Sequence, residues 1–157
     1  MENLIPLTDD ICLIFRYPSD EIYSRFDIKE SLSALEAEYI NLFVNNLDEP
    51  IISLYASTYL KPLNTENVLE KLNKIILSSD LQLSDSERID HITIIFEFFG
   101  ILIESNIDYE FIKLFLSSYI LCFEPLINNI RNRTKNKLYL LGADKLESFF
   151  NKVKKYE

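Results

Sequence analysis

Residues 84–104 read SDSERIDHITIIFEFFGILIE, and the fold turns on how this stretch is read. From Ile92 to Ile103 the only breaks in an apolar run are Thr93, Glu97 and Gly100. Ser84 and Glu87 have the Ser-x-x-Glu spacing of a capping box, in which two side chains satisfy backbone N–H groups at a helix start. The reading is therefore a helix from about Ser84 to Glu104. Ser86, Asp90, Thr93, Glu97, Gly100 and Glu104 recur at alternating steps of four and three, which places them on one thin stripe. A helix that is apolar everywhere else is central, with one edge open. His91, the single histidine, lies about 100° around from that stripe, facing the border of the core. A group that titrates near neutral pH, held beside a carboxylate against a core, marks a candidate site. The plainer reading is that Asp90 and His91 fasten the helix start to a neighbouring loop.

Moving outward, Thr8 or Asp9 can cap a short helix carrying Ile11, Cys12, Ile14 and Phe15, which Tyr17-Pro18 ends because the residue before proline avoids helical dihedrals. Ser19-Asp20-Glu21 opens another through Phe26. From about Lys29 to Asn46, Leu32, Leu35, Tyr39 and Leu42 recur at threes and fours, with Phe43 widening the stripe. Pro50 to Pro62 reads as an irregular crossing segment too apolar to lie in water. Thr65 begins a helix with Val68, Leu69, Leu72, Ile75 and Ile76 that ends at Ser78-Ser79-Asp80. Asp108 caps the next, which runs to Phe123-Glu124-Pro125, where proline favours a kink or a fresh start. Asn128 to Lys137 reads as a polar, basic stretch, with Arg131, Arg133, Lys135 and Lys137 on a solvated turn. The last helix carries Leu138, Leu141, Phe149, Phe150 and Val153, with Gly142 as a possible interruption.

Composition supports this reading. Two glycines and five prolines in 157 residues leave few residues for the tight turns of a many-stranded sheet. The expectation is one all-α domain over residues 1–157, a bundle of six or seven helices, of a size that hides roughly 70% of its unfolded surface. The net charge of -9 argues against nucleic-acid binding, which needs clustered cations. It is uneven: residues 1–127 carry -14 and 128–157 carry +5, so the body would attract a cationic peptide. Cys12 and Cys122 sit among apolar neighbours, as small buried hydrophobes do in a reducing compartment. Two thiols and one histidine make no convincing zinc site. No run reaches about 18 apolar residues and the first residues lack a secretory signal, so a cytoplasmic location without stable membrane insertion is expected.

Four segments together resemble the TorD/DmsD/NarJ family of chaperones that assist maturation of molybdenum-containing redox enzymes. Tyr17-Pro18-Ser19-Asp20-Glu21-Ile22-Tyr23 resembles the family's early Tyr-Pro element, and Leu35 to Phe43 its Glu-Tyr-x-x-Leu-Phe helix. Tyr55-Ala56-Ser57-Thr58-Tyr59-Leu60 is similar to its crossing segment. Glu87-Arg88-Ile89-Asp90-His91, followed by Phe96-Glu97-Phe98-Phe99, resembles its hinge, in which Arg88 stands where proline is usual. Tyr119 and Phe123 stand where relatives often carry His and Trp. The resemblance implies a TorD-like all-helical fold without a cofactor. It also implies binding of the twin-arginine leader, or the apo form, of a molybdoenzyme catalytic subunit, aiding cofactor insertion and holding back export.

A twin-arginine leader carries two adjacent guanidinium groups and a modest apolar segment, so its receptor needs carboxylates beside an apolar groove. The expected peptide-binding residues are Asp90, with Glu87 or Glu97, for the arginines, and His91, Tyr39, Phe43, Tyr55 and Tyr59 for the groove. Tyr39 and Phe43, four apart on one face, also suit a core. No enzyme is expected, since the chain has no glycine-rich phosphate loop, no nucleophile with a matching base and no metal-ligand cluster. A helical adaptor that binds a folded partner is the alternative. Either would be a monomer or weak homodimer.

Overall fold

The computed structural model describes residues 1–44, 51–60, 65–79 and 87–156. It is all-α, and among the described residues the only β feature is an isolated antiparallel bridge between Tyr55 and His91. The helices are α1 (Ile5–Phe15), α2 (Glu21–Arg25), α3 (Leu32–Tyr39), α4 (Ala56–Tyr59), α5 (Thr65–Ser78), α6 (Ile92–Glu104), α7 (Tyr109–Phe115), α8 (Pro125–Arg133) and α9 (Lys137–Val153). Among the described residues that is two more than the seven segments read from sequence. The crossing segment contains the single turn α4, and α8 replaces the expected polar turn, with Pro125 in its first turn where a missing N–H is harmless.

α1 packs against both α6 and α9, and α8 packs on α9. α1 starts earlier than expected, at Ile5 with Pro6 in its first turn. Thr8 is thus inside the helix, its hydroxyl donating back to the Ile5 carbonyl at 2.6 Å. On α6, Ile92, Ile94, Ile95, Phe96, Phe98, Phe99, Leu102 and Ile103 are buried. Phe96 and Phe99 meet Phe149 of α9 with ring centres 5.1 and 5.8 Å apart, and Phe98 meets Phe115 of α7 at 5.1 Å.

Gly142 does not interrupt α9. A Cβ there would stand 2.9 Å from Ile14 Cγ2 and from Phe15 Cζ, so the missing side chain lets α1 approach. Arg25 Nε and Lys145 Nζ reach the two oxygens of buried Asp10 at 2.7 and 2.8 Å, pinning α2 and α9 to α1. Two helices relax at their ends into single π turns, Ile40–Val44 after α3 and Leu116–Ile120 after α7. Among the described residues no helix is long and apolar enough to cross a membrane.

Candidate functional site

The hinge differs from its sequence reading in one decisive respect. α6 begins at Ile92, not near Ser84, which lies outside the described residues together with Ser86. Glu87 to Asp90 are not helical. A helix through this region would direct the Ile92 N–H to the Arg88 carbonyl and the Asp90 carbonyl to the Ile94 N–H. Instead Ile92 N–H donates to the Leu54 carbonyl at 2.8 Å, and the Asp90 carbonyl accepts from Ala56 N–H at 2.9 Å. The crossing segment takes the backbone groups that a longer helix would have used.

His91 therefore serves as the N-cap. Its Nδ1 accepts from the Thr93 N–H at 3.3 Å and lies 2.7 Å from Thr93 Oγ1, which satisfies one of the open donors of the first turn. The imidazole is 2% exposed and stands edge-on to the Tyr55 ring, centres 5.2 Å apart.

Asp90 is 0% exposed and fully engaged. Arg88 Nε donates to Oδ1 at 2.6 Å and Nη2 to Oδ2 at 3.1 Å. The Ser57 N–H at the start of α4 donates to Oδ2 at 3.1 Å. The Arg88 guanidinium also reaches Ser57 Oγ at 3.1 Å and lies 4.2 Å above the Tyr55 ring centre. Burial pushes the Asp90 carboxyl up, but the hydrogen bonds from Arg88 and Ser57 outweigh it and hold the group below its ordinary value. An arginine stacked on an aromatic and forked onto a carboxylate is the contact a leader arginine was expected to make. Here the chain's own Arg88 makes it.

The other site residues are brought together only in part. Glu87 is exposed and accepts from the Tyr55 hydroxyl at 3.4 Å. Tyr59, one turn along α4, donates to the Ser53 carbonyl at 2.6 Å and meets Phe123 at 5.8 Å. Burial pushes its phenol up to about 12. Cys122 is close by, its thiol likewise pushed up to about 12 by burial. Tyr39 and Phe43 lie elsewhere, in the core, and this corrects their assignment to a groove wall. They are 4% and 5% exposed and pack with Tyr139 of α9. The Tyr39 hydroxyl donates to the Phe15 carbonyl at 3.2 Å, and Tyr17 of the Tyr-Pro element stacks edge-on against it at 5.6 Å. The i, i+4 spacing, which puts both side chains on one helix face, already suited a core.

Glu97 is not at the hinge either. It lines a groove of about 350 Å³ between α1 and α6, together with Asp9, Arg16, Glu21, Gly100 and Glu104. Thr93 onward, the polar stripe read from sequence is real, and from Glu97 to Glu104 it faces this groove. Among the described residues no group of three or more His, Cys, Asp or Glu is placed to hold a metal ion.

Comparison with known proteins bears on the whole arrangement. A crystal structure of an Archaeoglobus fulgidus protein, described as a candidate redox enzyme maturation protein, superposes with a TM-score of 0.62 at 19% identity, covering 94% of this chain and 93% of that one. At that identity the likeness speaks for the fold. No curated protein matches the chain. The family model for the nitrate reductase delta subunit matches residues 20–123, from α2 through the hinge and α6 to the turn before α8. The chain belongs to the nitrate reductase delta subunit family, the NarJ/TorD type of redox-enzyme maturation chaperone that its four sequence segments resemble.

Proposed function

We propose that the protein is a cytoplasmic chaperone for a molybdenum-containing oxidoreductase, binding the twin-arginine leader or another part of the apo catalytic subunit until the cofactor is inserted. The observation that carries this reading is the family match over residues 20–123, which includes the hinge. The acidic body of the chain, -14 over residues 1–127, draws in a basic leader by long-range attraction.

Magnitudes assign the roles. Three apolar side chains buried on binding contribute about 1.5–3 kcal/mol each, whereas an exposed ion pair contributes about 0–1. Apolar contact supplies affinity and the carboxylates supply selection. After an ordering cost of about 2–5 kcal/mol for a disordered leader, a micromolar Kd is expected. The hinge holds the framework in place. Asp90 and His91 lock the crossing segment to the start of α6, while Glu87 and Tyr55 form the outer edge.

Titration of the protein with a leader peptide tests the reading. Micromolar binding that weakens when both arginines become alanine supports it, and indifference to the peptide, together with no redox subunit in co-purification, would sink it.

A further inference from the structure

We propose that the groove between α1 and α6, and not the hinge, is where a leader's paired arginines are read; this rests on the leader-binding reading above. At the hinge the obvious carboxylate is taken. Asp90 is buried, with both oxygens held by Arg88 and Ser57, so a client arginine would have to displace a fork already formed. In the groove the balance is different. Asp9, Glu21 and Glu104 are exposed, Glu97 is half-buried, and all four line it. Of the two cations there, Arg25 is held by Asp10. Arg16 has its Nε buried, and four carboxylates face these two cations across the groove lining. The acidic lining thus favours a cationic occupant, and Ile5, Leu13 and Ile101 give it apolar contacts.

The two walls match two adjacent arginines. Successive side chains of an extended peptide point to opposite sides. A chain laid along the groove would send one guanidinium to Asp9 on α1 and its neighbour to Glu97 or Glu104 on α6. Those two glutamates are seven residues apart, two turns on one face. The volume of about 350 Å³ lies at the lower end of the ~300–1,000 Å³ of ligand clefts, enough for side chains and not for a folded element.

Gly100 is an independent sign that the space is kept for something. A glycine inside a helix is unfavourable relative to alanine, so one in the middle of α6 needs a reason. Internal packing does not give one, because a Cβ there would meet nothing nearer than Thr8 Oγ1 at 3.6 Å, an ordinary contact. Gly142 is the contrast, where 2.9 Å contacts forbid any side chain. Gly100 lies between Glu97 and Glu104 on the groove wall, and its bareness is explained by an occupant.

The test titrates the full chain with two peptides, one with the Arg-Arg pair and an apolar segment, the other with Ala-Ala in its place. Glu97→Gln/Glu104→Gln and Asp9→Asn should each weaken Arg-Arg binding about three- to fivefold, and combined at least tenfold, and leave Ala-Ala binding within twofold. Gly100→Met should weaken both peptides, and Glu66→Gln on α5 neither. Thermal melts of each variant establish that it is folded. If wild type prefers the Arg-Arg peptide but the groove variants bind it as wild type does, the groove assignment is overturned and the leader reading stands. If wild type binds neither peptide, the leader reading fails and takes this assignment with it.

Discussion

Replacing Arg88 with alanine would strip the paired cation from a carboxylate that is shut off from water. Removing one partner of a buried ion pair costs about 3–5 kcal/mol. The Arg88 side chain is 44% exposed and Ser57 N–H still donates to Oδ2, so the expected loss is smaller, about 2–3 kcal/mol. In a chain of this size that lowers Tm by about 5–10 °C. Asp90→Asn should be milder, about 1 kcal/mol. It keeps the shape and one acceptor, and it leaves behind a guanidinium that can turn into solvent. The double variant should be better than the sum of the two. The pH dependence separates this account from simple loss of packing. In wild type the Asp90 carboxyl is held below its ordinary value, so its contribution is complete above the unfolded pKa of about 3.9 and is lost as pH falls through the folded value. Without Arg88, burial dominates and lifts the carboxyl above its unfolded value, so protonation now stabilises the fold. The gap between Arg88→Ala and wild type, measured by urea denaturation followed by far-UV circular dichroism, should narrow between about pH 7 and about pH 4.5. A loss below about 0.5 kcal/mol, or a gap that does not change with pH, would refute the reasoning.

Gly142→Ala should destabilise by about 1–3 kcal/mol in the same assay, because its Cβ would lie 2.9 Å from Ile14 and Phe15. Gly100→Ala should instead stabilise by about 0.5–1 kcal/mol, since its nearest contact is 3.6 Å. His91→Ala should cost about 1–2 kcal/mol through loss of the N-cap bond to Thr93, and His91→Asn, which offers its own cap oxygen, should recover part of it. Cys122, its thiol pushed up to about 12 by burial, should resist iodoacetamide at about pH 8 in the native protein and react readily once urea unfolds it.

The boundaries set by local chemistry were legible in the sequence. Pro18 and the residue before it end the first helix, Asp108 caps α7 through a 3.4 Å bond from Glu110 N–H, and Pro125 restarts the chain as α8. The boundary at α6 was not, because it is decided by partners far along the chain. The bonds from Leu54 and Ala56 compete with helix formation and win, and periodicity carries no record of them. The basic stretch misled for a similar reason. Arg131 lies on α8 and is clamped by Asp144 and Glu147 of α9 at 2.8 and 2.9 Å, partners that sequence spacing does not reveal. As for the candidate site, the Glu97–Gly100–Glu104 stripe was visible, but only the fold shows that α1 supplies a facing wall. That Asp90 is already occupied follows from Arg88, whose position in the hinge was visible and whose partner was not.

The seating of α1 between α6 and α9 has a consequence for how the chain comes off the ribosome. At a synthesis rate of about 5–20 residues per second, the part of α9 that covers Ile14 and Phe15 emerges roughly six to twenty-five seconds after they do. For that interval the first helix carries a bare greasy flank, and the nascent chain is open to being held by another chaperone. Truncation before Lys137 should make that exposure permanent and send the product to inclusion bodies.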